Sequence, residues 1–287
     1  MQLMILLILV IYSLNWNCTG HMIIAQIARN LLSPTEQQKI DKLLNGVSEH
    51  DSQGSMIEQS CFADDMSETG LRMMDAEHFY FLPIYDTGMN ASHSNFTPPY
   101  VNGTWFLENA ITSMKKPSNN PSLIPGVAMK SLLLRYVIHI VGDMHQPFHT
   151  ITRISKNHKA GDNGGFFFNI RFSKSIQNLH QLWDMLMNKI PPFERPLSDT
   201  DKIKLLNVSN LLMNEYDPSK LDELSITDIE LMATNSFYYA KESGYTLKEG
   251  SEPSGEYIEN SWQIIKKLIV ISAYRLATLL KEISTTL

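Results

Sequence analysis

The stretch His139-Ile-Val-Gly-Asp143-Met-His145-Gln-Pro-Phe-His149 sets three imidazoles and a carboxylate within eleven residues. His139 and Asp143 are four apart and share one face of a helix, while Pro147 ends regular helix and lets His149 turn back toward the same point. Such spacing suits a metal ion. A buried polar cluster would use the same residues, and a lone His-x-x-x-Asp pair is structural more often than not. The chain repeats the pairing at His180-Gln-Leu-Trp-Asp184, and two such pairs favour metal chemistry.

Outward from this block, His21, Asp64 and His78 complete a set of eight residues with ligand character: His21, Asp64, His78, His139, Asp143, His149, His180 and Asp184. Imidazoles and carboxylates without cysteine fit zinc sites that keep a position open for water, whereas closed structural zinc sites usually use thiolates. His145 has the right chemistry as well, so the block alone does not fix which of its imidazoles bind.

The chain begins Met1-Gln-Leu-Met-Ile-Leu-Leu-Ile-Leu-Val-Ile-Tyr12, an uncharged apolar run too short for a stable span and placed where a secretory signal belongs. No positive charge precedes it, which is atypical. Ser13 lies three positions before a cut at Trp16, so residues 1–15 are read as a signal peptide and 16–287 as the mature chain. No second apolar stretch approaches ~20 residues, so no membrane anchor is expected. The expected destination is the medium or the lumen of a lysosome-like or digestive compartment. Sequons at Asn17, Asn90, Asn95, Asn102 and Asn207 are what an exported glycoprotein carries. With only Cys18 and Cys61 available, the fold cannot rest on a disulfide framework and must bury a core. The mature length allows one large domain or two small ones, and no linker or repeat divides it.

A formal net charge of −6 argues against an electrostatic nucleic-acid binder. Bound divalent metals would reverse the local sign, so the charge does not exclude a nuclease.

Helical periodicity dominates. Helices are expected at 20–32, from a Ser33-Pro34 start to about Leu44, and at 104–115, 126–144, 176–187, 199–214, 225–243 and 254–283. The clearest strand signal is Gly165-Phe-Phe-Phe-Asn-Ile-Arg-Phe172, bounded by the turn Gly161-Asp-Asn-Gly-Gly165, which predicts a small hairpin. Pro83 to Asn102 reads as a surface loop, and Lys266-Lys267 as solvated charges. The expected class is all-α, mostly helical with a small β-hairpin.

The ordered motifs resemble those of a known family, the secreted trinuclear-zinc single-strand nucleases and 3′-nucleotidases of the nuclease S-one and P-one type. The likeness runs through Trp16-x-x-x-Gly20-His21, Cys61-Phe-Ala-Asp64, His78-Phe79, the His139 to His149 block and Gly161-Asp-x-Gly-Gly165. It continues through Asn178-Leu-His180-x-x-Trp183-Asp184, Glu242-Ser243 and Arg275-Leu-Ala277. The resemblance covers nearly the whole mature chain and implies one helical domain of the kind shared with zinc-dependent phospholipase C.

It also implies roles. One zinc would be held by Asp64, His78, His139 and Asp143, and a second by His149, His180 and Asp184. The third would sit on the α-amino group and carbonyl of Trp16 with His21, with Asp143 bridging it to the first. His145 is not a ligand in this pattern. A hydroxide bridging two zinc ions, aided by Asp64, would attack phosphorus and leave 5′-phosphate products. Phe79 would stack against an unstacked base, which accounts for a preference for single-stranded DNA or RNA. A monomer without a stable protein partner is expected. Rival readings are a zinc phospholipase C and a metal-binding homologue with weakened turnover.

Three positions depart from the pattern. Ser67 stands where the family usually has an arginine, with Arg72 as a nearby substitute; Phe81 replaces an aspartate and Phe166 an asparagine. None of the implied zinc ligands is changed. Cys18 and Cys61 each lie three residues before an implied ligand, so a disulfide between them would tie the mature N-terminus to the Asp64 segment. Two free buried thiols are the alternative.

Overall fold

The computed structural model describes residues 17–45, 55–69, 72–115 and 124–287. The expected signal peptide and Trp16 lie outside the described residues.

The helices begin where local chemistry can satisfy their first amide groups. In α1 (Cys18–Asn30), the Asn17 side chain accepts from Gly20 N–H at 3.2 Å. For α2 (Pro34–Asn45), Ser33 N–H donates to Glu36 at 2.7 Å while Glu36 N–H donates back to Ser33 Oγ at 3.3 Å, with proline at the first helical position. Two short helices follow, α3 (Met56–Gln59) and α4 (Phe62–Glu68). Then come α5 (Gly103–Lys115), α6 (Ile124–Asp143) and α7 (Leu179–Asp184), the last capped by Asn178. Ser198, Asp228 and Ser254 cap α8 (Asp199–Glu215), α9 (Ile229–Glu242) and α10 (Gly255–Ser284).

The all-α expectation holds. Helix α10 runs against α1, while α6 is flanked by α2 and α5. One contiguous core joins Ile23, Ile24 and Ile27 of α1 to Val137, Ile140 and Val141 of α6 and to Ile265, Ile269 and Leu276 of α10. Each such side chain stabilises the fold by roughly 1.5–3 kcal/mol relative to exposure. Helix α6 carries His139 and Asp143 through the middle of this core, so its polar face must be satisfied there.

The strands differ from expectation. Residues 165–172 form no hairpin; they turn, and only an isolated antiparallel bridge joins Asn169 to Asn178. The aromatic residues that resemble a strand instead fill space beside a turn built around Asp162. Its carboxylate accepts from Arg153 N–H, Gly165 N–H and the Tyr245 hydroxyl. The ordered strands are β1 (Leu82–Tyr85) and β2 (Ile151–Ile154), paired in parallel from Leu82↔Ile151 to Tyr85↔Ile154. Thus the first residues of the expected 83–102 loop are sheet. Helix α7 is also shorter than expected, because Asn178 turns to cap it. Lys266 is not solvated: it is 8% exposed and its ammonium bonds Glu215.

The small sheet positions the site. Immediately before it, Tyr80 N–H donates to His149 O at 2.9 Å, and the His149 ring donates through Nδ1 to His78 O at 2.8 Å. The pairing therefore fixes the segment ending at His78 beside the one ending at His149.

Candidate metal centre

All eight ligand-type residues of the sequence come together, and none is more than 5% exposed. His21 enters from α1, Asp64 from α4, His78 from the 3₁₀ turn Arg72–His78, and His139 and Asp143 from α6. His149 follows on the 3₁₀ turn Pro147–His149, and His180 with Asp184 lie one turn apart on α7. Close approach of α1 to α6 needs a bare backbone: a Cβ on Gly142 would lie 2.8 Å from His21 Nδ1. Gly164 meets the same demand at φ +65, where a Cβ would lie 2.2 Å from Phe148 O.

Three groupings have their ligand atoms within 4.8 Å of one another: His21/Asp64/His139, His78/His139/Asp143 and His149/His180/Asp184. The first two share His139 and form one continuous wall. Asp143 reaches His78 at 2.8 Å, His139 at 3.3 Å and His21 at 3.4 Å. Its other neighbour is His149, at 3.6 Å, which links the wall to the second group. In that second group Asp184 lies 3.1 Å from His180 and 3.8 Å from His149.

The tautomers follow from the backbone. Nδ1 of His139 faces Ser60 O at 2.6 Å, and Nδ1 of His180 faces Gly164 O at 2.7 Å. Carbonyls only accept, so each Nδ1 carries a proton and Nε2 is the atom turned inward, the arrangement that orients imidazoles on a metal. Gln146 supports Asp184 through a 2.5 Å bond and accepts from Phe148 N–H.

Electrostatics match this packing. Burial opposes ionisation of Asp143, but His139 and His149 beside it hold its carboxyl well below the usual range. Against the same burial, His180 leads the groups that bring Asp184 down to about 2. Burial alone would lower His139, yet Asp143 and Asp64 push it well up. His21 is lowered by burial and by His139, whose ring stacks on it at 3.8 Å.

A test of fit is whether buried polar atoms lack partners that an ion would supply. Both nitrogens of His21, Oδ1 of Asp143 and Nε2 of His149 are buried without a hydrogen bond among the described residues. Buried polar atoms are costly when unsatisfied. The donor set of imidazoles and carboxylates therefore fits divalent metal.

His145 takes another part. Its Nδ1 donates to Val141 O at 2.7 Å and its Nε2 accepts from Arg275 at 2.7 Å. Burial, then the Arg275 charge, lowers it to about 3, so it is a neutral strut between α6 and α10.

At the rim, Phe79 lies over His149 with centroids 4.8 Å apart and stacks on Phe81 at the same distance. Phe166 covers His180 at 3.7 Å. Ser67 Oγ bonds Asp75 at 2.7 Å, while the Arg72 side chain lies outside the described residues. Cys18 and Cys61 form a disulfide with a Cα separation of 5.2 Å, tying α1 to the residue before α4. Of the sequons, Asn17, Asn90 and Asn102 use their side-chain oxygens to cap helical turns, and Asn90, Asn95 and Asn207 are exposed. Sequence reasoning missed Gln146, whose part shows only in its spatial neighbour Asp184.

Fold and site together define a helical protein built around a buried, multi-ligand metal centre. The family model described as S1/P1 Nuclease matches residues 16–285, and the chain belongs to that family. It is similar to Nuclease S1 of Aspergillus oryzae, 22% identical with 94% of this chain and 92% of the relative covered. Endonuclease 1 of Arabidopsis thaliana is 24% identical, covering 94% and 87% respectively. Nuclease P1 of Penicillium citrinum is 21% identical, covering 93% and 97%. The protein is accordingly a nuclease, an enzyme that hydrolyses nucleic acid, with histidine–aspartate metal-binding groups at its centre.

Proposed function

We propose that this nuclease is a secreted, zinc-dependent endonuclease of single-stranded DNA and RNA that releases 5′-phosphate ends and also acts on 3′-nucleotides. The observation that carries the reading is the meeting of two imidazole–carboxylate groups across the buried Asp143. Three zinc ions would be held by Asp64, His78, His139 and Asp143; by His149, His180 and Asp184; and by Trp16 with His21 and Asp143. Bound zinc acidifies water and neutralises charge that develops on a phosphate. Asp64, buried at the centre and 3.3 Å from His139, is placed to accept the proton of the attacking water at its carboxylate.

Residues at the rim determine which strands enter. Phe79 is half-buried beside His149 and offers a face on which an unstacked base can lie. A duplex keeps its bases stacked on one another and gains nothing from that face. Residues 1–15 act as the signal peptide, 16–287 as one catalytic domain, and sugars attach at the exposed Asn90, Asn95 and Asn207. The Cys18–Cys61 bond and the lack of any described helix long and apolar enough to cross a membrane agree with export.

The test sets denatured DNA, RNA, duplex DNA, a 3′-nucleotide and phosphatidylcholine side by side, before and after chelation. Chelator-sensitive release of 5′-phosphorylated nucleotides from the single strands, with little from duplex, is expected. Preference for duplex DNA, or hydrolysis of the lipid alone, would overturn the reading.

A further inference from the structure

The run Gly161-Asp162-Asn163-Gly164-Gly165 takes no part in the chemistry described above, yet its backbone is costly. Asn163, Gly164 and Gly165 follow one another at φ +55°, +65° and +82°. The left-handed region is open to glycine and unfavourable for a residue with a Cβ, so three such residues in succession need support from around them. Strain of this kind concentrates where a site requires it.

The support comes from Asp162, whose side chain is buried at 1% exposure. Its Oδ1 accepts from Gly165 N–H across the turn at 3.1 Å and from Arg153 N–H on β2 at 2.9 Å, while Oδ2 accepts from the Tyr245 hydroxyl at 2.8 Å. The Arg153 guanidinium is engaged by Asp86 and Glu249, so the Asp162 carboxylate holds backbone rather than an ion-pair partner.

What the turn carries is one carbonyl. Gly164 O accepts from His180 Nδ1 at 2.7 Å. A Cβ on Gly164 would lie 2.2 Å from Phe148 O and 3.3 Å from His180 Nδ1, and one on Gly165 would lie 2.9 Å from Phe148 Cδ1 and 3.4 Å from His180 N. The turn is therefore wedged between His180 and the residue that precedes His149. Tyr245 closes the wedge from behind, its ring 5.1 Å from that of Phe148. The two imidazoles so separated stand 5.0 Å apart.

We propose that Asp162 is the positioning residue of the His149/His180/Asp184 group. By holding the left-handed turn, it places Gly164 O where the His180 Nδ1–H donates, and this sets the direction of Nε2. The proposal rests on the reading of that group as a zinc site. Partners that orient ligating imidazoles weaken metal binding by roughly 10–100-fold when they are changed.

The experiment titrates zinc-loaded protein with a competing chelator, for wild type, Asp162→Ala, Asp162→Asn and Tyr245→Phe, and follows the His180 Nδ1–H proton by NMR. Asp162→Ala is expected to weaken one zinc step by roughly 10–100-fold, leave the other steps at their wild-type values, and bring the His180 proton into fast exchange with solvent. Asp162→Asn keeps an oxygen for both amides and retains the wild-type steps and the protected proton. Tyr245→Phe removes one of the three bonds and weakens the same step by less; it carries the comparison if Asp162→Ala does not fold. A lower unfolding midpoint in Asp162→Ala with every zinc step and the His180 proton unchanged, or equal weakening of all steps, identifies a purely structural turn and overturns the proposal alone. A wild type whose zinc content matches that of His180→Ala overturns the reading of the group itself.

Discussion

At the buried floor of the site, eight imidazoles and carboxylates are at most 5% exposed, and Asp143 alone lies within 3.6 Å of four histidines. At the rim, Phe79, Phe81 and Phe166 are half-buried and lie against the outer imidazoles or one another. Every floor residue is fixed by several elements at once, so changing one disturbs the rest. A rim residue answers mainly to what enters from solvent. The floor therefore sets the kind of chemistry, and the rim sets what reaches it.

The comparison breaks most sharply at Asp143. Asp143→Asn removes the charge shared by four histidines, and kcat should fall on the order of 10³-fold together with metal content, read by kinetics and elemental analysis. Retention of full metal content would show that Asp143 is not the link between the groups. Phe79→Ala should leave metal content unchanged while weakening binding of single strands by about 1–3 kcal/mol, seen as a raised KM. An effect on metal content would move Phe79 from the rim to the floor.

A smaller effect concerns the floor without metal. The folded Asp184 carboxyl lies at about 2, below its ordinary 3.8, because His180 and His149 outweigh burial. A depressed carboxyl contributes stability that is present above pH ~3.8 and lost as pH falls through about 2. Chelated protein should lose roughly 2 kcal/mol over that window in denaturant titrations, and Asp184→Asn should flatten this part of the profile.

What was legible in the sequence follows the same division. The pairs His139/Asp143 and His180/Asp184 are written at helical spacing, so local periodicity discloses them. Helix starts such as Ser33-Pro34 with Glu36, and Ser254 before α10, are equally local. The pairing of Leu82–Tyr85 with Ile151–Ile154 is not, because two four-residue strands about seventy residues apart leave no local signature. The run 165–172 misleads because aromatic residues that favour strands also fill the space around the Asp162 turn. The ligand groupings needed the family resemblance, since spacing alone left His145 equal to His149. The fold separates them, tying His145 to Val141 and Arg275 and grouping His149 with His180 and Asp184. Gln146 was invisible as a support because its meaning depends on Asp184, far away in sequence and adjacent in space.

The most direct test of the central claim is metal stoichiometry joined to activity. Protein with a verified Trp16 N-terminus should bind about three zinc ions and cleave single strands until chelated. One extra residue before Trp16 should cost one of the three. Fewer than two ions per chain, or cleavage that survives exhaustive metal removal, would contradict a floor built to hold a multi-zinc centre.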